Sequence, residues 1–289
     1  MRLMDLVEAS AARLAGAGVA FGHGTTNAFD EAAWLVLWQL GLPLDDLDSV
    51  AGLAVSPQQQ DSVQELVTER IMSRKPAAYL TREAWLQGVP FYVDERAIVP
   101  RSFIAELLAE GTIDPWLSEQ TARVLDLCTG NGSLAVLAAM AYPDVRIDAG
   151  DISRDALEVA RINVDKHGLH SRIRLVESDG LAQLPGPYDL VLCNPPYVNA
   201  QSMAQLPAEF RAEPPLALAG GEDGMDFVRA LLRDLPSRLS EIGVLVLEIG
   251  NERENFERAF PHLQGVWLET SAGTGEVVLV TSDNLPSTS

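Results

Sequence analysis

From Arg123 onward the chain alternates short apolar runs with helix-patterned stretches: VLDLC, LAVLAAMAY, RIDAG, DALEVARINVDKHG, IRLVES and YDLVLCN follow in turn. Parallel strands cannot be joined by tight turns, so each pair needs a crossover, usually a helix. The alternation therefore specifies the α/β class, a mostly parallel sheet with helices on both faces. A helix over residues 225–235, a strand VLVLEIG, a helix NERENFERAF and two strands around VWLET and EVVLVTS extend the pattern. The polar tail SDNLPSTS is expected to fray.

Residues 1–82 carry a different signal. Apolar residues recur at helical spacing over residues 4–14, and Asn27 can cap the run AFDEAAWLVLWQL, which ends at Gly41. Pro57 opens a third helix whose apolar face is Val63, Leu66, Val67, Ile71 and Met72. These residues predict a small helical domain. Residues 83–101 contain WLQGVPFYV and RAIV, read as a β-hairpin linker. Residues 102–289 are then the α/β domain, opened by the helix FIAELLAEG behind its cap Ser102.

Composition narrows the function. At 47% hydrophobic and 21% charged residues the chain can bury a core. Its longest apolar run, residues 134–143, is too short to span a bilayer. Asp5 and Glu8 interrupt what a secretory leader would keep uncharged, so a cytoplasmic location without a membrane partner is expected. Two cysteines and four histidines offer neither a disulfide framework nor a zinc site, and no metal is expected. His23, His167, His170 and His262 are scattered and read as surface or helix-end residues. Forty-one acidic against 21 basic residues give a net charge of −20. Such a surface repels a phosphate backbone and attracts a basic protein, so no direct nucleic-acid substrate is expected.

The segment Asp126-Leu127-Cys128-Thr129-Gly130-Asn131-Gly132 places a glycine turn between a buried strand and a helix. Ligands of open α/β sheets bind there, at the carboxyl ends of strands. The glycines let the backbone approach a ligand, but the spacing is not that of a dinucleotide-phosphate loop. Asp151 ends the next strand, 21 residues after Gly130, where a carboxylate can accept from both hydroxyls of a ribose. Asp179, at the end of the third strand, is placed for an adenine amino group. Acids at three successive strand ends suit a cationic nucleoside, and S-adenosyl-L-methionine fits that description.

After the fourth strand comes Asn194-Pro195-Pro196-Tyr197. The prolines fix the backbone and remove two N–H donors. The Asn194 side-chain oxygen and the Pro195 carbonyl can then accept from an –NH2 group, with Tyr197 as an aromatic wall. This tetrapeptide is the signature of amino-group methyltransferases.

With these motifs the chain resembles the HemK family of protein glutamine methyltransferases over nearly its whole length, and EPPLALAGGEDGMDFVRALL strengthens the likeness. Within the family, FYVDERAIVPRSFIAELL and Cys128 resemble the branch acting on the third large-subunit ribosomal protein. The resemblance implies a class I, Rossmann-like methyltransferase fold and S-adenosyl-L-methionine as cofactor. It implies cofactor contacts at Asp126, Cys128 to Gly132, Asp151, Asp179, Gly180 and Asn194. The substrate clamp falls on Asn194, Pro195, Pro196 and Tyr197. The implied reaction methylates a glutamine amide of a basic ribosomal protein. The alternatives are the GGQ-type glutamine of a peptide-chain release factor, then adenine in nucleic acid.

Overall fold

A computed structural model describes residues 1–285. The amino-terminal helices are α1 (Leu3–Gly16), α2 (Ala28–Gln39), α3 (Leu47–Val50), α4 (Pro57–Ser73) and α5 (Ala77–Thr81). Their caps follow the sequence: Asn27 Oδ1 accepts from the Asp30 amide at 2.9 Å, and Ser56 forms a capping box with Gln59 ahead of Pro57. Leu6, Leu14, Leu35, Val36, Val63 and Val67 form the core of this bundle.

One face differs from the reading of the apolar spacing. Met72 is 78% exposed, whereas Arg70 is fully buried. The side chain of α4 that turns inward at its carboxyl end is the cation, because carboxylates wait for it. Arg70 Nε donates to Glu31 at 2.9 Å, and its Nη1 lies 3.5 Å from Glu209, a residue of the second half of the chain.

The expected hairpin is also shorter. Strands β1 (Ala84–Leu86) and β2 (Val89–Phe91) pair around Gln87 and Gly88, within AWLQGVPF alone, and RAIV forms no strand. Instead the Val99 amide of that segment donates to Glu213 at 2.9 Å, so its ladder position is taken by a side chain.

After α6 (Phe103–Glu110) come β3 (Arg123–Leu127), α7 (Ser133–Ala141), β4 (Arg146–Asp151), α8 (Arg154–Lys166), β5 (Ile173–Glu177) and β6 (Tyr188–Cys193). Short helices α9 (Ala200–Gln205) and α10 (Ala208–Arg211) lead to α11 (Asp226–Asp234) and β7 (Leu239–Glu248). Then follow α12 (Arg253–Ala259), β8 (Val266–Thr270) and β9 (Gly273–Thr281). The sheet order is β5-β4-β3-β6-β7-β9-β8, parallel through β7, with β9 antiparallel to both its neighbours. Val124 and Leu190 enter one face's core, and Leu125 and Val191 the other, which is why these strands read as continuous apolar runs.

The chain winds outward from β3 through β4 to β5, then returns to place β6 on the opposite side of β3. This reversal opens a crevice at the carboxyl ends of β3 and β6. Part of the tail is ordered: Ser282–Asn284 form a 3₁₀ turn and Leu285 is buried, while residues 286–289 lie outside the described residues. Among the described residues no helix is long and apolar enough to cross a membrane.

Replacing Arg70 by alanine leaves Glu31 and Glu209 buried without their shared cation. The expected loss is about 3–5 kcal/mol of unfolding free energy, measured by urea denaturation.

Candidate active site

The loop after β3 turns sharply because Cys128, Gly130 and Gly132 all have positive φ. Two carboxylates hold it there. Asp126 is fully buried beneath it, accepting from the Thr129 hydroxyl and, at 2.9 Å, from the Ala135 amide. Asp151, across the sheet, accepts from the Gly130 amide at 2.9 Å and the Ser153 amide at 2.8 Å.

A cavity opens above this loop, bordered by Cys128, Gly130, Asp151, Asp179, Gly180 and Asn194. Asp126, Thr129, Asn131 and Gly132 stand one layer behind its wall. Their work is internal: Asn131 Oδ1 accepts from the Ser133 amide at 3.2 Å, and its carbonyl accepts from Asn163 at 2.8 Å. A methyl group on Gly132 would press to 3.1 Å on Ala160. Burial pushes the Asp126 carboxyl up to about 7, as befits a group hidden from solvent.

The cavity suits an adenosine. Gly130 has open space where a side chain would stand, and the Asp151 carboxylate retains acceptor capacity beyond its two amides. Asp179 is exposed at the rim. Ile152 is 50% exposed beside these acids and, with Phe227 and Ala156, gives the cavity apolar walls for a planar base.

A second cavity meets the first at Asn194, Ile98 and Ala217 and is bordered further by Arg101, Pro195, Tyr197 and Phe210. The four residues of the tetrapeptide thus divide: Pro196 faces the first cavity, Pro195 and Tyr197 the second, and Asn194 both. Asn194 Nδ2 donates to the Arg101 carbonyl at 3.3 Å, which turns Oδ1 away from that loop.

The stretch around Gly220 supports the tetrapeptide from behind. Val198 donates to the Leu218 carbonyl and Gly220 to the Val198 carbonyl, each at 2.9 Å. A methyl group at Gly220 would come within 2.7 Å of the Tyr197 Cα, and one at Gly224 would collide with the Tyr197 carbonyl. Only glycine permits this approach. Burial, together with the nearby Glu248 carboxyl, pushes the Tyr197 hydroxyl up and keeps it protonated.

Sequence reasoning assigned no role to four residues of this region. Glu248, at the end of β7, accepts from the Ser102 hydroxyl at 2.5 Å and the Phe103 amide at 2.9 Å, so it caps α6. Glu213 receives both Arg101 terminal nitrogens, at 2.6 and 2.7 Å. His23, read as a surface residue, is 1% exposed and lies 3.3 Å from Glu213. Charged residues inside the motifs Pro100-Arg101 and Glu213-Pro214-Pro215 were the available signal, whereas His23 had none.

Two cavities that share an amide side chain at the carboxyl end of β6, in a sheet of this order, are the arrangement of a class I methyltransferase. The family model for the methyltransferase small domain matches residues 106–222. A ribosomal protein uL3 glutamine methyltransferase of Burkholderia pseudomallei (strain K96243) is 52% identical over 292 residues, 98% of this chain and 95% of that protein. One from Bordetella pertussis (strain Tohama I / ATCC BAA-589 / NCTC 13251) is also 52% identical, covering 98% of this chain and 96% of its own. The chain belongs to the family of ribosomal protein uL3 glutamine methyltransferases. Among solved structures, the hMettl16 catalytic domain in complex with the MAT2A 3′UTR hairpin 6 shares the fold. It has a TM-score of 0.55 at 14% identity and covers 82% of this chain and 86% of that one.

The two raised carboxyls make stability depend on pH in a defined direction. Burial raises Asp126 from 3.8 and Glu248 from 4.5, each to about 7. The folded state therefore holds protons that the unfolded state has released, and the stability contributed by these two groups falls as pH rises from about 4 to 7. Replacing Glu248 by glutamine removes one such group. Between pH 5 and 7 the wild type should lose stability relative to this variant by up to about 1.4 kcal/mol per pH unit, read from urea titrations at each pH.

Proposed function

We propose that this chain transfers the methyl group of S-adenosyl-L-methionine to the side-chain amide nitrogen of a glutamine in ribosomal protein uL3. The observation that carries this reading is the place of Asn194, at the end of β6 and in the wall common to both cavities. The names of the relatives supply the substrate, and the acidic surface supports it.

Cofactor contacts are assigned to Cys128, Gly130, Asp151, Asp179 and Gly180. Asp151 would accept from the ribose hydroxyls while still holding the loop. The bound cofactor supplies an activated methyl group. An amide nitrogen is a weak nucleophile, because its lone pair is delocalised into the carbonyl, so the protein's task is to hold it in line. Asn194 Oδ1 and the Pro195 carbonyl accept its two N–H groups, and Tyr197 and Phe210 bound the space for the side chain. Positioning of this kind can lower a barrier by roughly 7–11 kcal/mol in the most favourable systems. The same two acceptors stabilise the positive charge that grows on nitrogen as its new bond forms. The proton then leaves to water, and no histidine is assigned as a base.

Residues 1–82 are assigned to docking the protein substrate. Both the first 90 residues, with 6 basic and 11 acidic side chains, and the remainder, with 15 and 30, carry net negative charge. A Lys- and Arg-rich protein is steered toward such a surface and a polynucleotide away from it.

Replacing Asn194 by alanine should lower turnover about 10²- to 10³-fold while leaving cofactor affinity near that of the wild type, measured by single-turnover methylation and calorimetry. Replacing Asp151 by alanine should weaken cofactor binding by about 1.5–3 kcal/mol, the worth of hydrogen bonds to a charged acceptor. For the substrate, initial rates on purified uL3, on a release factor and on adenine-containing DNA are compared at low salt and at 0.15 M, where screening falls to about 8 Å. The rate on uL3 should be highest and should fall with salt. Robust transfer to DNA would overturn the protein-substrate reading.

A further inference from the structure

We propose that Arg101 is a positioning residue for the methyl-accepting amide: its ion pair with Glu213, closed off by His23 of the helical bundle, fixes the loop carbonyl that orients Asn194. The inference rests on the role just proposed for Asn194.

Four contacts form one chain. Glu213 grips the loop at two points, receiving the Val99 amide at 2.9 Å and the Arg101 guanidinium through both terminal nitrogens. The loop is thereby held on both sides of Pro100, and its Arg101 carbonyl accepts from Asn194 Nδ2. A primary amide has its donor and acceptor on opposite arms, so fixing Nδ2 on this carbonyl fixes where Oδ1 points. Without the carbonyl, the Asn194 amide could turn and offer N–H where an acceptor is needed.

The helical bundle closes the arrangement. The His23 ring is buried against Phe210, with centroids 4.2 Å apart, and its Nε2 lies 3.3 Å from Glu213 Oε2, off the line of a good hydrogen bond. Neither ring nitrogen has a hydrogen-bond partner, so the ring serves to shield the carboxylate from water. The Arg101 guanidinium lies 5.4 Å from the centroid of the same Phe210 ring. Glu213 is thus dry, and a dry carboxylate holds its arginine more firmly than a hydrated one. A residue 171 positions from Asn194 in the sequence reaches the acceptor cavity in this way.

The planar two-pronged pairing is specific to arginine, so lysine keeps the charge and loses the geometry. The test uses the full-length protein with Arg101→Lys, Asn194→Ala and the double variant, on purified uL3. Arg101→Lys is expected to lower kcat at least tenfold, with the dissociation constant for S-adenosyl-L-methionine changed less than twofold. In the Asn194→Ala background the same substitution should cause no further loss, because the two residues act through one amide. Replacing His23 by alanine opens the carboxylate to water, and replacing Glu213 by glutamine keeps one acceptor; each should lower kcat severalfold with cofactor affinity intact. Losses that multiply in the double variant, an unchanged kcat for Arg101→Lys, or loss of cofactor binding by it would each overturn the inference. Wild-type turnover by Asn194→Ala would overturn the function proposed above, whereas a lowered rate there beside an undisturbed Arg101→Lys would overturn this inference alone.

Discussion

A carboxylate taken out of water must be met by a cation or by several N–H donors, and Glu213 meets that demand by drawing three distant segments to one point. Arg101 and the Val99 amide approach it from the segment after the hairpin, His23 from the helical bundle, while Glu213 itself follows the tetrapeptide by 16 residues. The His23 ring and the Arg101 guanidinium beside it hold its carboxyl down at about 2 despite burial. Remove that charge and the junction of bundle, loop and acceptor cavity loses its common anchor. The rest of the site is then a matter of what the sheet brings alongside.

The sheet brings β3 and β6 together because the chain reverses its winding after β5. Each of these strands ends in a short segment whose backbone cannot relax: the loop of positive-φ residues on one side, two consecutive prolines on the other. In register, Leu127 lies opposite Cys193, so the cofactor loop and Asn194 leave the sheet at the same level. Rigid exits at one level fix the two cavities in one relation to each other.

Much of this was legible in the sequence, for reasons that can be stated. Parallel strands buried on both faces are apolar throughout, so β3, β4 and β6 announced themselves, and the caps at Asn27 and Ser102 and the proline at Pro57 marked helix starts because their chemistry is local. The glycine turn and the tetrapeptide stood out by their residue types at strand ends, and the family likeness followed from them. What could not be read is what depends on partners far along the chain. Arg70 lies on the face where spacing favours an apolar residue, and only the carboxylates of Glu31 and Glu209 explain why it turns inward. RAIV has the composition of a strand, yet its Val99 amide is satisfied by Glu213. Asp126 looks like a ligand-facing acid from its spacing, but the loop it supports lies between it and the cavity.

The ion pairs around Glu209 bear on how the molecule comes apart. Arg70 meets one carboxylate in its own bundle and another in α10, and Arg74 reaches the same Glu209 at 3.2 Å while donating to the carbonyls of Ala17 and Gly18. If either half unfolded alone, the pairs that join Glu209 to Arg70 and Arg74 would open and their charges would have to be rehydrated. The two halves are thus coupled through buried charge. A chain cut before the hairpin would leave Glu209 without Arg70 and Arg74, and heating the intact protein should melt both halves in a single cooperative transition.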